Sequence, residues 1–247
     1  MNQHQGKVAV VTGASAGMGQ EFAVRLAREG AYLVLAARHP ATETQKMVEE
    51  AGSKAVTQTC DVTSLEDVKA LAETVESQFG RCDILINNAG IYPFQPFSEI
   101  SFEDWRKVLA VNLDSLFLTC KAFVPMMEQN NWGRIINITS SSTRALVPDN
   151  THYIAAKMGV IGFTRALATE VGNAGITVNA VSPGMVRTAT IEQGGQAEMF
   201  DMVKQMQAIH RIAKPDDIAG VVSFLASDDS RFITAQTIVA DGGMTRL

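Results

Sequence analysis

Cysteine is scarce in this sequence, and its three copies stand far apart at Cys60, Cys82 and Cys120. They form neither a C-x-x-C pair nor a spacing typical of zinc ligands. We therefore expect no metal site, and we interpret the cysteines as small core residues. Isolated thiols are typical of proteins from a reducing compartment, so the sequence predicts a cytoplasmic location.

Positive charge and long apolar runs are also lacking. Lys and Arg number 21 against 26 Asp and Glu, which gives a net charge of -5, and no segment is rich in arginine or lysine. This pattern disfavours a nucleic-acid partner. Residues 1–7 are polar and contain no apolar signal core. No apolar run approaches the ~18 residues of a membrane span, so we expect no membrane partner.

Short apolar runs alternate with longer helical stretches along the 247 residues. Runs that are apolar on both faces and separated by helices predict a parallel sheet covered on both sides, that is, a doubly wound α/β fold of the Rossmann type. No linker or repeat interrupts the pattern, so we expect a single domain over 1–247. The segment of about 185–211 is irregular and contains Gly194 and Gly195, which predicts a mobile substrate-binding segment.

A glycine-rich turn follows the first predicted strand. Gly13, Gly17 and Gly19 have the spacing G-x-x-x-G-x-G, with Ser15 and Met18 between them. Glycines at a strand-to-helix turn allow a pyrophosphate to approach the backbone at the helix N-terminus. The turn therefore predicts a dinucleotide site, although a purely structural turn would show the same composition.

The ends of the next strands supply further cofactor candidates. The second strand ends without an acid and is followed by Arg38, which favours the 2′-phosphate of NADP(H) over the ribose hydroxyl of NAD(H). NAD(H) remains possible, because Arg38 could equally be a solvated loop residue. Asp61 and Val62 follow the third strand, where they could meet adenine, although Asp61 could also cap a turn. The run Asn88-Ala89-Gly90 follows the fourth strand at the edge where such sheets bind ligands.

Three residues near the fifth strand predict acid/base chemistry. Tyr153 and Lys157 are four apart in a predicted helix, so they share one face. A nearby ammonium favours the phenolate, and we therefore expect Lys157 to lower the pKa of Tyr153 from its usual value of about 10. Ser140 ends a strand and could hold a substrate oxygen beside the phenol, as a carbonyl or alcohol reaction requires.

In this order and spacing, the residues quoted above resemble the classical short-chain dehydrogenase/reductase family over nearly the whole chain. Several stretches, such as Gly90-Ile91-Tyr92-Pro93-Phe94, resemble its 1-phenylethanol dehydrogenase-like members. The resemblance implies a catalytic tetrad that adds Asn112 to the three residues above. It implies that Thr188 binds the nicotinamide carboxamide after Pro183, Gly184 and Val186, that Tyr153 and Lys157 also contact the cofactor, and that the assembly is a homotetramer.

The expected substrate pocket is apolar. Besides Ser140 and Tyr153, its candidate walls are Tyr92, Phe94, Leu146, Met185, Met199 and Met202. Methionine surfaces adapt to varied apolar partners, although each methionine could equally fill the core.

The sequence thus favours an NADPH-dependent enzyme that reversibly reduces an aryl or alkyl ketone to a secondary alcohol. Three alternatives remain open: an NAD-dependent secondary-alcohol dehydrogenase, a 3-oxoacyl-type reductase, and a nucleotide-binding regulator without turnover.

Overall fold

Parallel pairing joins seven strands into one sheet in a computed structural model that describes residues 2–145, 147–193 and 197–246. Their order across the sheet is β3-β2-β1-β4-β5-β6-β7, so the chain starts in the middle and builds outward in both directions. The doubly wound fold is confirmed. The strands are β1 Val8–Thr12, β2 Tyr32–Ala37, β3 Ala55–Thr59, β4 Ile84–Asn87, β5 Gly133–Ile138, β6 Ile176–Pro183 and β7 Thr237–Ala240.

Helices cover both faces of the sheet. They are α1 Gly17–Arg28, α2 Thr42–Glu50, α3 Leu65–Phe79, α4 Phe102–Leu109, α5 Ser115–Gln129, α6 Thr151–Val171, α7 Ala189–Gln193, α8 Ala197–Met206 and α9 Pro215–Ala226. Because β1 is buried along its whole length, its alternate residues enter two separate cores. Val11 packs with Phe22 of α1 on one face, and Val10 packs with Phe123 of α5 on the other.

The sequence predicted an irregular segment over about 185–211. This prediction is wrong, because the segment contains the helices α7 and α8. Val186 also forms a parallel bridge with Ala213, which ties the start of this segment to its end. Gly194 and Gly195 lie outside the described residues. These helices were not predicted from the sequence, because the two glycines interrupt the helical pattern that would have indicated them.

One apolar stretch is longer than the sequence analysis allowed. Phe102–Gln129 is helical throughout and has the length and composition of a membrane span. A π-turn at Ala110–Asp114 separates α4 from α5 within it. Phe123 and Met127 are completely buried in the core, and α5 contacts β4 and β5. The buried part of this stretch is therefore apolar because it packs on the sheet.

Candidate active site

Four strand ends meet at the carboxyl edge of the sheet and carry the candidate residues. Gly13 follows β1, Asn88 follows β4, Ser140 follows β5, and Gly184 follows β6. β1 pairs with β4, and β5 pairs with both β4 and β6, so these ends are neighbours. Ligands bind at this edge in open α/β sheets.

The glycine-rich turn is packed against the loop after β4. Thr12 Oγ1 accepts hydrogen bonds from the backbone N–H groups of Asn88 and Ala89 at 3.0 and 3.1 Å. Asn88 Nδ2 donates to the carbonyl oxygens of Thr12 and Gly13 at 2.9 and 3.2 Å. Gly13 has a φ of +66°, and a Cβ there would lie 2.9 Å from Asn88 Nδ2. This position therefore requires glycine both for its backbone conformation and for space.

The first turn of α1 suits a pyrophosphate. Its N-cap residue Ala16 provides no side-chain hydrogen bond, so the first N–H groups of the helix have no side-chain acceptor. Gly17 has a φ of +62°, and a Cβ there would lie 3.5 Å from Thr188 Cγ2 on the facing loop. A helix N-terminus with free donors and bare backbone around it is a favourable anion site. The residues present therefore fit a dinucleotide.

Beyond this turn lies a cavity that we call the Arg38 cavity. Most of the cofactor candidates from the first four βα loops line it, whereas Gly17, Met18, Gly19 and Asn88 do not. Asp61 Oδ1 accepts from the backbone N–H and the hydroxyl of Thr63 at 2.9 and 2.7 Å, so it caps a turn as well as lining the cavity. The hydrogen bonds from Thr63 lower the pKa of Asp61. The lining residues are Gly13, Ser15, Ala37, Arg38, His39, Cys60, Asp61, Val62, Ala89, Gly90, Ile91 and Val111.

The second cavity, of about 230 Å³, contains both hydroxyls of the predicted acid/base site, and we call it the Tyr153 cavity. Its wall is mostly apolar. The predicted residues that line it are Met18, Tyr92, Phe94, Ser140, Tyr153, Pro183, Gly184, Met185, Val186, Thr188 and Met199. Leu146 lies outside the described residues. Met202 is 54 % exposed on α8 and is not part of the wall.

Burial raises the pKa of Tyr153 to about 12, although a hydrogen bond with Ser140 lowers it in part. The prediction that Lys157 lowers this pKa is wrong for the chain by itself. Lys157 Nζ lies 5.7 Å from the centroid of the Tyr153 ring and donates to the carbonyl oxygen of Ile138 at 2.8 Å. Burial lowers the pKa of Lys157 itself to about 8. Desolvation is the largest effect on the pKa of Tyr153, and the charge effect of Lys157 that sequence spacing suggested is not among its causes.

Helix α6 is tied to the end of β5 by two hydrogen bonds. Lys157 Nζ makes one, and Thr139 Oγ1 makes the other by donating to the Lys157 carbonyl oxygen at 2.9 Å. Ser140 is oriented locally, because its Oγ accepts from the Ser142 N–H at 3.2 Å and lies 2.8 Å from Ser142 Oγ. These contacts place the hydroxyls of Ser140 and Tyr153 on one cavity wall.

Asn112 lies in the π-turn and is completely buried. Its Nδ2 donates to the carbonyl oxygens of Ile91 and Val108 at 2.8 and 3.0 Å, so the side chain holds the chain that follows Gly90. A Cβ on Gly90 would lie 2.8 Å from Asn112 Oδ1 and 3.7 Å from Lys157 Nζ. The missing side chain of Gly90 therefore lets Asn112 and Lys157 approach the same point.

A buried polar chain that the sequence analysis missed connects the site to both helices beneath it. Thr119 Oγ1 donates to Asn87 Oδ1 at 2.7 Å, Asn87 Nδ2 donates to Asn137 Oδ1 at 2.9 Å, and Asn137 Nδ2 donates to Thr164 Oγ1 at 3.0 Å. The chain runs from α5 through β4 and β5 to α6. The sequence signal that could have indicated this chain is one asparagine within each of two apolar strands, since buried amides need hydrogen-bond partners.

The remaining wall residues of the Tyr153 cavity come from distant parts of the chain. They include Ser142, Asn150, Ile191, Val203 and Met244. None of them belongs to a motif with a recognisable spacing. Only the packing of α6, α7, α8 and the C-terminal residues brings them together.

Comparisons with known proteins agree on the family. A family model described as enoyl-(acyl carrier protein) reductase matches residues 13–245. The 3-oxoacyl-(acyl-carrier-protein) reductase FabG of Pseudomonas aeruginosa is 40% identical over 243 residues, 97% of this chain and 98% of that protein. The cyclohexanol dehydrogenase of Acinetobacter sp. (strain SE19) is 36% identical over 248 residues, 99% of this chain and 97% of that protein.

Among solved structures, carveol dehydrogenase from Mycobacterium avium in complex with NAD has a TM-score of 0.94 and 31% identity, and the match covers 99% of each chain. The fold, the order of the strand-end residues and a family match over nearly the whole chain together show that this protein belongs to the classical short-chain dehydrogenase/reductase family of nicotinamide-dependent oxidoreductases.

Proposed function

We propose that the protein reversibly reduces a ketone to a secondary alcohol, with NADPH as the preferred reductant and an apolar aryl or alkyl ketone as the substrate. The observation that carries this proposal is the Tyr153 cavity. In it, two hydroxyls from Ser140 and Tyr153 face a mostly apolar space beside the dinucleotide turn.

When bound, the reduced nicotinamide supplies a hydride to the carbonyl carbon. With a pKa of about 12, Tyr153 is protonated at neutral pH and donates its proton to the developing alkoxide. Ser140 Oγ accepts from the Ser142 N–H, which leaves the Ser140 hydroxyl proton available to the same substrate oxygen. Preorganised donors thus meet the negative charge as it develops.

Lys157 and Asn112 support this step from behind. With a pKa of about 8, Lys157 is mostly charged at pH 7, and it lies where it could hold the ribose hydroxyls of the cofactor. Because Gly90 has no side chain, Asn112 Oδ1 approaches the same point near Gly90 as Lys157 Nζ. We propose that Asn112 and Lys157 together return a proton to Tyr153 after each reduction.

The Arg38 cavity supports the cofactor preference. Arg38 and His39 are exposed at its wall, which the half-buried Ser15 also lines, and the preceding residue Ala37 is apolar and buried. A guanidinium beside a hydroxyl suits a 2′-phosphate. The NAD alternative keeps support from the carveol dehydrogenase structure, which holds NAD.

Steady-state rates with NADPH and NADH test the preference. Arg38→Ala should reduce the ratio of kcat/KM for NADPH to that for NADH by about tenfold, because one charge-assisted contact is lost. Arg28→Ala, at the exposed end of α1, is the matched control and should leave the ratio unchanged. A wild-type preference for NADH would contradict the proposal.

The nature of the substrate is tested by a panel of ketones and secondary alcohols, followed at the absorbance of reduced nicotinamide. We expect turnover of acetophenone-like ketones. Faster turnover of acetoacetyl thioesters would favour the 3-oxoacyl alternative, which the similarity to the Pseudomonas aeruginosa reductase supports. No turnover across the panel would favour a regulator that binds nucleotides.

We further propose that the chain acts as one domain over 1–247, with about 185–211 as its substrate-binding segment, and assembles as a cytoplasmic homotetramer. Light scattering coupled to size exclusion measures the assembly directly, and a monomeric mass would contradict it.

A further inference from the structure

Met244 reaches the Tyr153 cavity from the C-terminal end of the chain, where no motif predicted a functional residue. It shares the cavity with Met185 from the loop after β6 and Met199 from α8. We call residues Asp241–Thr245 the C-terminal hook, because the backbone turns sharply there after β7.

The carboxylate of Asp241 holds this hook in shape. Asp241 Oδ1 accepts from the backbone N–H groups of Gly243 and Met244 at 3.0 and 3.2 Å. Asp241 Oδ2 accepts from the N–H and the hydroxyl of Thr245 at 2.8 and 2.6 Å. Asp241 is 97 % buried, so these four bonds replace the hydration of its charge. Gly242 and Gly243 have φ values of +67° and +77°, which the turn requires.

Two walls of the site are attached to the hook. On one side, Gly184 packs against it so closely that a Cβ on Gly184 would lie 2.9 Å from Asp241 Cα. On the other side, the Ile209 N–H, just beyond α8, donates to the Gly242 carbonyl oxygen at 2.9 Å. The hook therefore fixes Met244 relative both to the cofactor-side loop and to the helix that carries Met199.

We propose that Met244 determines which ketones the enzyme accepts, by limiting the length of the alkyl substituent, and that Asp241 is the positioning residue that holds Met244 in place. This inference rests on the proposed ketone reduction. An unbranched methionine can be displaced slightly but still occupies the volume that a longer alkyl chain needs. The substrate class that follows is the aryl ketone with a short alkyl group.

The test compares acetophenone with valerophenone, which carries three more methylene groups on the alkyl side. The readout is the ratio of kcat/KM for valerophenone to that for acetophenone, measured with the same cofactor. Met244→Ala should raise this ratio by about tenfold or more, because methylene-sized differences in an apolar pocket have effects of that order. Met244→Phe should lower it.

Asp241→Asn replaces an acceptor oxygen with an amide nitrogen that cannot accept from the hook. It should shift the ratio in the same direction as Met244→Ala, mainly through KM for valerophenone, while Asp241→Glu should restore part of the wild-type ratio. Met158→Ala on α6, where the side chain is 50 % exposed, is the matched control and should leave the ratio within twofold.

The outcomes separate the two proposals. If the wild type turns over no ketone, the proposed function itself fails. If the wild type is active and Met244→Ala gives the wild-type ratio, the role of Met244 is overturned and ketone reduction stands. If only Asp241→Asn leaves the ratio unchanged, the positioning role of Asp241 is overturned.

Discussion

Gly13, Asn88 and Gly90 belong to loops that follow two adjacent strands, β1 and β4, whereas Met185, Met199 and Met244 enter the Tyr153 cavity from a loop, a helix and the C-terminal hook. The dinucleotide side is built from backbone that must approach a phosphate, so its geometry demands glycine at defined spacings. The substrate side only needs apolar volume, and residues from many parts of the chain can supply it. A short sequence pattern therefore identifies the dinucleotide side, whereas no such pattern identifies the substrate side.

The largest expected effect concerns the group that lies between the two regions. Tyr153→Phe removes the phenolic proton while retaining the ring that contacts Tyr92. Ketone reduction should fall by about 10²- to 10⁴-fold, as expected for loss of a general acid. Cofactor affinity, measured by fluorescence titration, should change little.

Tyr32→Phe is a matched control for that variant, because Tyr32 begins β2 and stacks on Phe79 at the opposite edge of the sheet. Its turnover should match that of the wild type. Substantial ketone reduction by Tyr153→Phe would remove Tyr153 from its proposed role.

Adding one methyl group tests how tightly the dinucleotide side is packed. A Cβ on Gly19 would collide with the Gly13 carbonyl oxygen and lie 2.6 Å from Asn88 Nδ2. Gly19→Ala should lower the free energy of unfolding by about 1–3 kcal/mol, the usual cost of overpacking, and should weaken cofactor binding. Denaturant unfolding and cofactor titration measure the two effects.

Gly162→Ala provides the comparison, because a Cβ at this position in α6 meets no atom within 4 Å. It should be neutral or stabilise the protein by up to about 1 kcal/mol, through the better helix propensity of alanine. Equal stabilities for the two variants would show that the turn is less constrained than its geometry indicates.

The pH dependence sharpens the comparison between Tyr153 and Lys157. Alcohol oxidation needs Tyr153 as the phenolate, and a pKa raised to about 12 means that kcat/KM for the alcohol should rise by about tenfold per pH unit between pH 7 and 8. Reduction needs the protonated phenol, which persists throughout that range. Its rate should be flat up to about pH 8 and then fall as Lys157 loses its charge. A reduction rate that increases above pH 8 would contradict this assignment.

The smallest expected effect distinguishes two methionines on α8. Met199 lines the Tyr153 cavity, whereas Met202 is 54 % exposed and lies outside its wall. Met199→Ala should raise KM for an aryl ketone several-fold through lost apolar contact, and Met202→Ala should stay within twofold. Equal KM values for the two variants would mean that Met199 of α8 does not contact the substrate in the cavity.

The dinucleotide turn, the spacing of the acid/base residues and the alternation of strands with helices were predictable from sequence because each depends on neighbours along the chain. Tyr153 and Lys157 share a face through helix spacing alone, and Gly13 is required by a turn of a few residues. The pKa of Tyr153 was not predictable in the same way. Its direction is decided by burial among residues from several elements, and the nearby ammonium of Lys157 is not among the causes of the shift.

The sequence by itself determined the doubly wound sheet, the family and the residues at the strand ends, because local periodicity and fixed spacings encode them. Only the tertiary structure decided that Met244 and Asn150 belong to the cavity and that Asn87 and Asn137 form a buried polar chain across two strands. Such contacts join residues that are distant in sequence. Each contact depends on how the helices and the C-terminal residues pack against the sheet.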